Sequence, residues 1–165
     1  MAALSDYLES GLLHHIFRGE TFAKPTKITV GLTANVPEDA KEADARTGTT
    51  IDEIPSGDGQ NLSGYARIDL GDPSTDGNAA WLYTVEDNAQ GSGVIGNSST
   101  LVWDTALYDW GWVSGVVILD SEHHSTDPVE DPGNLLMHSR LDNPRIIYTG
   151  DSVKFDMDTL QISFK

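Results

Sequence analysis

The chain has 165 residues, of which 26 are acidic and 10 are basic, so its formal net charge is −16. This charge excludes a nucleic-acid binder that neutralises phosphates and a polybasic contact with a membrane surface. The absence of cysteine excludes disulfides, thiolate metal sites and thiol nucleophiles, and the apolar runs are too short to cross a bilayer. We expect a soluble protein that is made and used without secretion.

Residues 5–18 carry the pattern of an amphipathic helix. Large apolar side chains recur there at spacings of three, four and five residues: Leu8, Leu12, Leu13, Ile16 and Phe17. Ser5 suits the N-cap, and Gly19 suits a left-handed C-cap. Acidic and basic residues balance within 1–30, so residues 31–165 carry the whole net charge. We expect this helix either to cover an edge of the domain that follows or to dock on a neighbouring subunit.

After Pro25 the apolar pattern changes from helical to alternating. Residues 27–35 place apolar side chains at every second position, which predicts a half-buried strand. Residues 37–60 are rich in Ala, Asp, Glu, Thr, Gly and Pro, with one weak apolar spot at Ile51 and Ile54. This composition predicts a long acidic loop or arm, and ordering of the arm by a partner is one interpretation.

Short strand candidates separated by turn residues fill the rest of the chain. They are 65–70, 80–85, 100–103, 112–119, 135–141, 145–148, 153–157 and 160–164. Gly96-Asn97 and Asn143-Pro144 are typical of turns. Asp158-Thr159 predicts a two-residue loop that joins the last two strands into a hairpin.

These elements predict a mainly β fold: an antiparallel β-sandwich or jelly roll preceded by one N-terminal amphipathic α-helix. We expect a single domain spanning 1–165, with the helix and an arm in 1–24. The sandwich then occupies 25–165 and carries the acidic loop at 37–60.

Histidines and carboxylates are plentiful but lack the spacing of a known site. His14-His15 and His123-His124 are adjacent pairs, and adjacent side chains rarely point at one ion. The sequence contains no EF-hand loop, no H-E-x-x-H spacing and no G-x-S-x-G nucleophile elbow. Pairs of carboxylates are unavoidable among 26 acidic residues and therefore indicate nothing. We expect no metal, no cofactor and no catalysis.

The densest aromatic cluster is formed by Tyr108, Trp110 and Trp112, with Trp103 nearby. Exposed rings at this spacing could stack on the face of a sugar. The favoured interpretation is that Trp112 shares a buried strand face with Val116 and that the aromatics close the core. Of Trp110 and Trp112, Trp110 is then the more exposed, because it lies in an Asp-Trp-Gly turn.

Six short motifs in order along the chain carry a resemblance to a known family: Phe17 to Gly19, Pro25-Thr26, Tyr65 to Arg67, Asp109 to Gly111, Gly133 to Leu136 and Gly150-Asp151. With the opening LSDYLESGLLHHIFRG and the stretch WDTALYDWGWVSGVVILD, they resemble a family of small tailed-bacteriophage proteins labelled hypothetical, tail-fibre or structural proteins. The likeness runs along nearly the whole chain. The acidic stretch Glu38 to Gly59 and the His-rich loop Ser121 to Asp131 depart from the family pattern.

The resemblance implies a virion component, made in the host cytoplasm, with a β-sandwich body and no known catalysis. Our first hypothesis is a capsid cement or decoration protein that bridges capsomers of the major capsid protein and self-associates as a dimer or trimer. The side chains expected at the partner interface are Leu8, Leu12, Phe17, Ile51 and Ile54.

The alternative is a tail, collar or fibre-associated protein that binds a host glycan. Its other expected partner is another virion protein, and we expect it to bind neither nucleic acid nor a membrane. The expected glycan contacts are Tyr108, Trp110 and Trp112. A hydrolase of the same glycan is disfavoured, because a depolymerase normally brings a longer chain.

Overall fold

The described residues form antiparallel strands and one N-terminal helix, which confirms the predicted fold class. The computed structural model describes residues 3–35, 51–54, 63–73, 80–83, 94–125, 127 and 130–163. The first elements are β1 (Ala3–Leu4), α1 (Asp6–Arg18), β2 (Thr29–Thr33), β3 (Ile68–Asp69), β4 (Trp81–Tyr83) and β5 (Val94–Asn97). They are followed by β6 (Leu101–Val102), β7 (Gly111–Leu119), β8 (Leu135–Ile147), β9 (Lys154–Phe155) and β10 (Gln161–Ser163).

The helix begins and ends where its capping residues predict. The Ser5 side chain accepts a hydrogen bond from the Leu8 backbone N–H at 3.2 Å, which satisfies one free donor of the first turn. Gly19 ends the helix in the left-handed region at φ 69°, and its N–H donates to the His14 carbonyl. In the described part of the chain, no helix is long and apolar enough to cross a bilayer.

The strands form three antiparallel sheets. The largest has five strands in the order β1-β8-β7-β2-β3, the second has the order β10-β5-β4, and the third pairs β6 with β9. Side chains of β2 and β7 share one buried cluster with Leu101, Trp103 and Phe155 of the two-stranded sheet region. The main sheet is therefore layered against a second one in a sandwich-like arrangement.

A single 13-residue strand replaces the two strands predicted on either side of Asn143-Pro144. The β7–β8 ladder pairs Gly115 with Arg140 and then Val113 with Arg145, so four residues of β8 lie opposite Ser114 alone. Proline cannot donate to a ladder, but it is tolerated in a bulge of this kind. The turn prediction was wrong because the bulge accommodates Pro144 without ending the strand.

The predicted hairpin at Asp158-Thr159 was wrong as well, because β9 pairs with β6 whereas β10 pairs with β5. Gly96-Asn97 lies inside β5 and not in a turn. A Cβ on Gly96 would clash with the Asp158 carboxylate, so the glycine permits close approach of the two segments. The buried Asn97 side chain donates to two backbone carbonyls and accepts from the Leu160 N–H at 2.8 Å.

Most of the predicted acidic loop, residues 37–50 and 55–60, lies outside the described residues, as do 126, 128 and 129 of the His-rich loop. The four residues 51–54 are described and pack on β2. The Ala34 N–H donates to the Asp52 carbonyl at 2.9 Å, and the Ile54 N–H donates to the Leu32 carbonyl at 3.0 Å. These four residues therefore belong to the folded body, and the interpretation of a partner-ordered arm does not hold for them.

Candidate functional site

Four large side chains stay exposed at one end of the β7–β8 pair, and we call them the aromatic edge: Tyr108, Trp112, Ile146 and Tyr148. Each residue keeps between 37% and 62% of its surface exposed. Trp112 and Ile146 are cross-strand partners in the ladder. Exposed aromatic groups that cluster on an acidic protein indicate an interaction surface.

Hydrogen bonds fix the loop before β7 against the turn that follows β8. Asp109 Oδ1 accepts from the Thr149 backbone N–H at 2.7 Å and from the Thr149 hydroxyl at 2.9 Å. These two bonds stabilise the charged carboxylate and lower the pKa of Asp109. The Trp110 N–H also donates to the Ile147 carbonyl at 3.0 Å. The two exposed tyrosines are thereby held at the same end of the sheet.

Trp110 is buried at 5% exposure, so the expectation that it is the more exposed tryptophan of the turn was wrong. Its indole N–H donates to the Ser63 carbonyl at 3.0 Å. Its ring packs edge-on against Tyr65 with centroids 5.6 Å apart. A buried indole needs such a partner for its N–H, and the Ser63 carbonyl supplies it.

Trp112 is 56% exposed, whereas the strand pattern placed it on the buried face with Val116. The ladder shifts register between Val113 and Gly115, and this shift breaks the strict alternation of faces along β7. Val113 therefore joins Val116 in the core, and Trp112 is left on the surface.

Part of the apolar face of α1 is buried against the sheet, and part is exposed to solvent. Leu8 is buried, and Leu12 packs at the margin of the same cluster. Leu13, Ile16 and Phe17 keep 55%, 65% and 77% of their surface exposed, and we call these three side chains the outer face of α1. Of the predicted partner contacts on the helix, Phe17 is open to a partner and Leu8 is not. Their role in a partner interface stays a prediction.

Ile51 and Ile54, the other predicted partner contacts, have no exposed surface. Ile51 packs with Val117, Leu119 and Leu135 on one face of the main sheet. Both isoleucines therefore stabilise the domain itself in this structure, and their contact with a partner stays a prediction.

A buried network that the sequence reasoning missed lies beside these isoleucines. Arg67 forms a bidentate pair with Glu53: Nε lies 2.8 Å from Oε1 and Nη2 lies 2.9 Å from Oε2. Glu53 also accepts from the Tyr65 hydroxyl at 2.8 Å and from the Ser125 N–H at 2.9 Å. His124 Nε2 lies 3.7 Å from Glu53 Oε2 and donates to the Ile54 carbonyl at 2.8 Å.

The electrostatics of this network favour a charged carboxylate. Burial raises the pKa of Glu53, but the hydrogen bonds and charge of Arg67, with smaller effects from His124 and Ser125, lower it below its ordinary value. Burial and the nearby Glu53 charge raise the pKa of Tyr65 well above its ordinary value. Because both carboxylate oxygens accept hydrogen bonds from side chains or backbone of other segments, the network joins several parts of the chain.

The sequence held one weak signal for this network, the Arg67 that interrupts a strand candidate in the Tyr-Ala-Arg motif. Its acidic partner could not be chosen among 26 acidic residues. In the described ranges, no group of three or more His, Asp or Glu side chains is arranged to hold a metal ion.

A protein-family model matches nearly the whole chain. The model of the family described as podophage GP4 fiber I protein gp80 matches residues 3–163. No curated protein matches the chain.

Proposed function

The chain belongs to the podophage GP4 fiber I protein gp80 family, and from this premise we propose that it is a non-enzymatic tail-fibre component that binds a host-surface glycan. Membership of a phage fibre family implies a location in the virion. The family description favours the fibre alternative over the capsid cement hypothesis.

The observation that carries the glycan proposal is the exposure of the aromatic edge. Trp112 and Tyr108 present 56% and 62% of their surface to solvent. Aromatic rings offer a flat apolar face with little conformational entropy to lose, and the C–H face of a pyranose packs well against such a ring. The hydrogen bonds between Asp109 and Thr149 fix the two loops next to the tyrosines before a ligand arrives.

Attachment to the virion needs a second surface, and the outer face of α1 is the one we propose. Three large apolar side chains are exposed there within two helical turns. The neutral charge balance of residues 1–30 makes this region a better protein contact than the acidic remainder of the chain. Self-association as a dimer or trimer stays a prediction.

The direct experiment measures binding of the purified protein to surface polysaccharide isolated from the host strain, by isothermal titration calorimetry. We expect saturable binding that Trp112→Ala weakens by about tenfold, since one ring stacked on one sugar contributes about 1–3 kcal/mol in comparable stacking contacts.

Met157→Ala is the matched control, because Met157 is also large, apolar and 57% exposed but lies outside the aromatic edge. The control should bind like the native protein. Equal losses in both variants, or no saturable binding by the native protein, would contradict the glycan proposal.

A further inference from the structure

A groove of about 650 Å³ opens beside the aromatic edge. The distal half of β8, residues 141–147, forms one wall, and residues 151–155 form the other. Its apolar lining includes Val113, Ile147 and Phe155. Its polar lining includes Asn143, Ser152 and Thr159. Apolar surface combined with a few placed polar groups is typical of a small-molecule site.

The bulge in β8 creates this wall. Residues 141–144 lie opposite Ser114 alone, so this part of β8 is longer than the strand it faces. The extra length carries Leu141, Asp142 and Asn143 into the lining. The same feature that accommodates Pro144 therefore shapes the groove.

Arg145 is the base of the groove that has no ion-pair partner. Among the residues that the structure describes, it takes part in none of the ion pairs, a property that it shares with Lys24 and Arg140. Lys154, the other base of the groove, is paired with Asp156 at 2.9 Å. Asp151, an acid of the groove, accepts a hydrogen bond from the Tyr148 N–H at 3.0 Å. A guanidinium without a carboxylate partner presents five donors in a planar fork that matches a carboxylate.

The charge of the groove differs from that of the rest of the chain. Its lining holds two bases, Arg145 and Lys154, and two acids, Asp142 and Asp151, so it is formally neutral. The chain as a whole carries −16. An anion approaching this acidic protein meets less repulsion at the groove than over the acidic surface.

The groove adjoins the aromatic edge at β8 but opens on the other face of the β7–β8 pair. Ile146 lines the groove and is the cross-strand partner of Trp112, whereas Arg145 is the partner of Val113, which lies in the core. Since directly opposed residues share a face and adjacent residues alternate, a saccharide that contacts both surfaces passes around β8.

We infer that this groove binds the carboxylate of an acidic sugar, a uronic acid within the host glycan, through a bidentate contact with Arg145. This inference rests on the proposed glycan-binding function and names the class of sugar that the fibre prefers. The aromatic edge stacks on sugars whether or not they are charged, and Arg145 favours the sugar that carries a carboxylate.

The test compares short oligogalacturonates with the same oligomers after reduction of their carboxyl groups. Binding is measured by isothermal titration calorimetry for the native protein and for Arg145→Gln, Arg145→Lys and Trp112→Ala. Arg140→Gln is the matched control, because Arg140 is an exposed base on the same strand that does not line the groove. Circular dichroism confirms that each variant is folded.

We expect the native protein to bind the charged oligomers at least about tenfold more tightly than the reduced ones, as hydrogen bonds to charged groups imply. Arg145→Gln should abolish this preference, Arg145→Lys should keep part of it, and Arg140→Gln should leave it intact. Trp112→Ala should weaken both oligomers.

Three results would overturn the inference. In the first, both oligomers bind equally and only Trp112→Ala weakens them, which leaves the glycan function standing without the acidic specificity. In the second, Arg140→Gln and Arg145→Gln weaken binding to the same extent, which indicates diffuse charge attraction. In the third, the native protein binds neither oligomer, and binding to the host polysaccharide then decides separately whether the glycan function stands.

Discussion

Arg67 and Glu53 form a bidentate ion pair whose two side chains are completely buried. The Arg67 guanidinium also donates to the carbonyls of Ser121 and Pro132, at 2.9 Å and 2.8 Å. The pair thus joins residues 51–54, the segment before β3 and the loop after β7. Removal of one partner should disturb all three segments, because a buried charge would be left without its counterion.

Arg67→Met should therefore destabilise the protein by about 3–5 kcal/mol, the cost of leaving a buried carboxylate uncompensated. Urea unfolding followed by circular dichroism measures this change. Arg140→Met, which removes an exposed arginine, should change the stability by less than about 0.5 kcal/mol. The double variant Glu53→Leu with Arg67→Met should cost less than the two single changes added together. Additive losses would show that the pair does not act as a unit.

The same pair predicts a dependence of stability on pH. The ordinary pKa of a glutamate is 4.5, and the pKa of Glu53 in the folded protein is lower. Its contribution is therefore fully present above about pH 4.5 and is lost as the pH falls through the folded pKa. Below about pH 4.5, urea unfolding should show a steeper loss of stability for the native protein than for the double variant. Parallel curves across this range would contradict the lowered pKa.

Tyr65→Phe should cost about 1–3 kcal/mol, because the Tyr65 hydroxyl accepts a hydrogen bond from the buried Leu32 N–H at 2.9 Å. Thermal and urea unfolding measure the change. Tyr148→Phe is the control, since Tyr148 is 56% exposed and its loss of a hydroxyl should leave the stability nearly unchanged. Equal stability of the two variants would mean that the Leu32 N–H finds another acceptor.

Ser5→Ala should destabilise the protein by about 1–2 kcal/mol. The Ser5 hydroxyl caps α1 at the Leu8 N–H and also donates to the Leu135 carbonyl, so its removal loosens the helix from β8. Ser99→Ala, at an exposed position, serves as the control. Hydrogen exchange should show faster exchange of the first-turn amides of α1 in Ser5→Ala, and unchanged exchange would argue against the cap.

Phe17→Ser should weaken attachment to the virion without unfolding the protein, whereas Leu8→Ser should destabilise the fold. Phe17 is 77% exposed, so its replacement should leave the unfolding free energy within about 0.5 kcal/mol of the native value. Leu8 is buried at 8% exposure, and its replacement should cost about 2–5 kcal/mol. Quantitative mass spectrometry of virions should find fewer copies of the Phe17→Ser protein per particle. Native copy number with this variant would exclude Phe17 from the attachment surface.

Local patterns were sufficient for the elements whose own residues specify them. The helix from Asp6 to Arg18, with its caps at Ser5 and Gly19, follows from apolar spacing and capping chemistry. Strand β7 follows from a run of apolar residues that only a sheet buries well. Strand β2 follows from apolar residues at alternate positions, but the prediction that it is half-buried was wrong, because all five of its residues are buried. The order of one helix followed by short strands was enough to predict the fold class.

The candidate site was predictable only in part. Aromatic density marked the region of Tyr108 and Trp112, but the degree of exposure depended on the register of two strands. The groove beside Arg145 could not be predicted, because it arises from a bulge opposite Ser114 that has no local signature.

The sequence by itself determined the helix, the apolar strands, the acidic surface and the family, since each depends on residues close in the chain or on overall composition. Tertiary structure alone decided that Glu53 pairs with Arg67, that Trp110 is buried while Trp112 is exposed, and that β9 and β10 pair with other strands. These outcomes depend on register and on contacts between distant segments. Many pairings are compatible with the same local pattern, and only packing of the whole domain selects one of them.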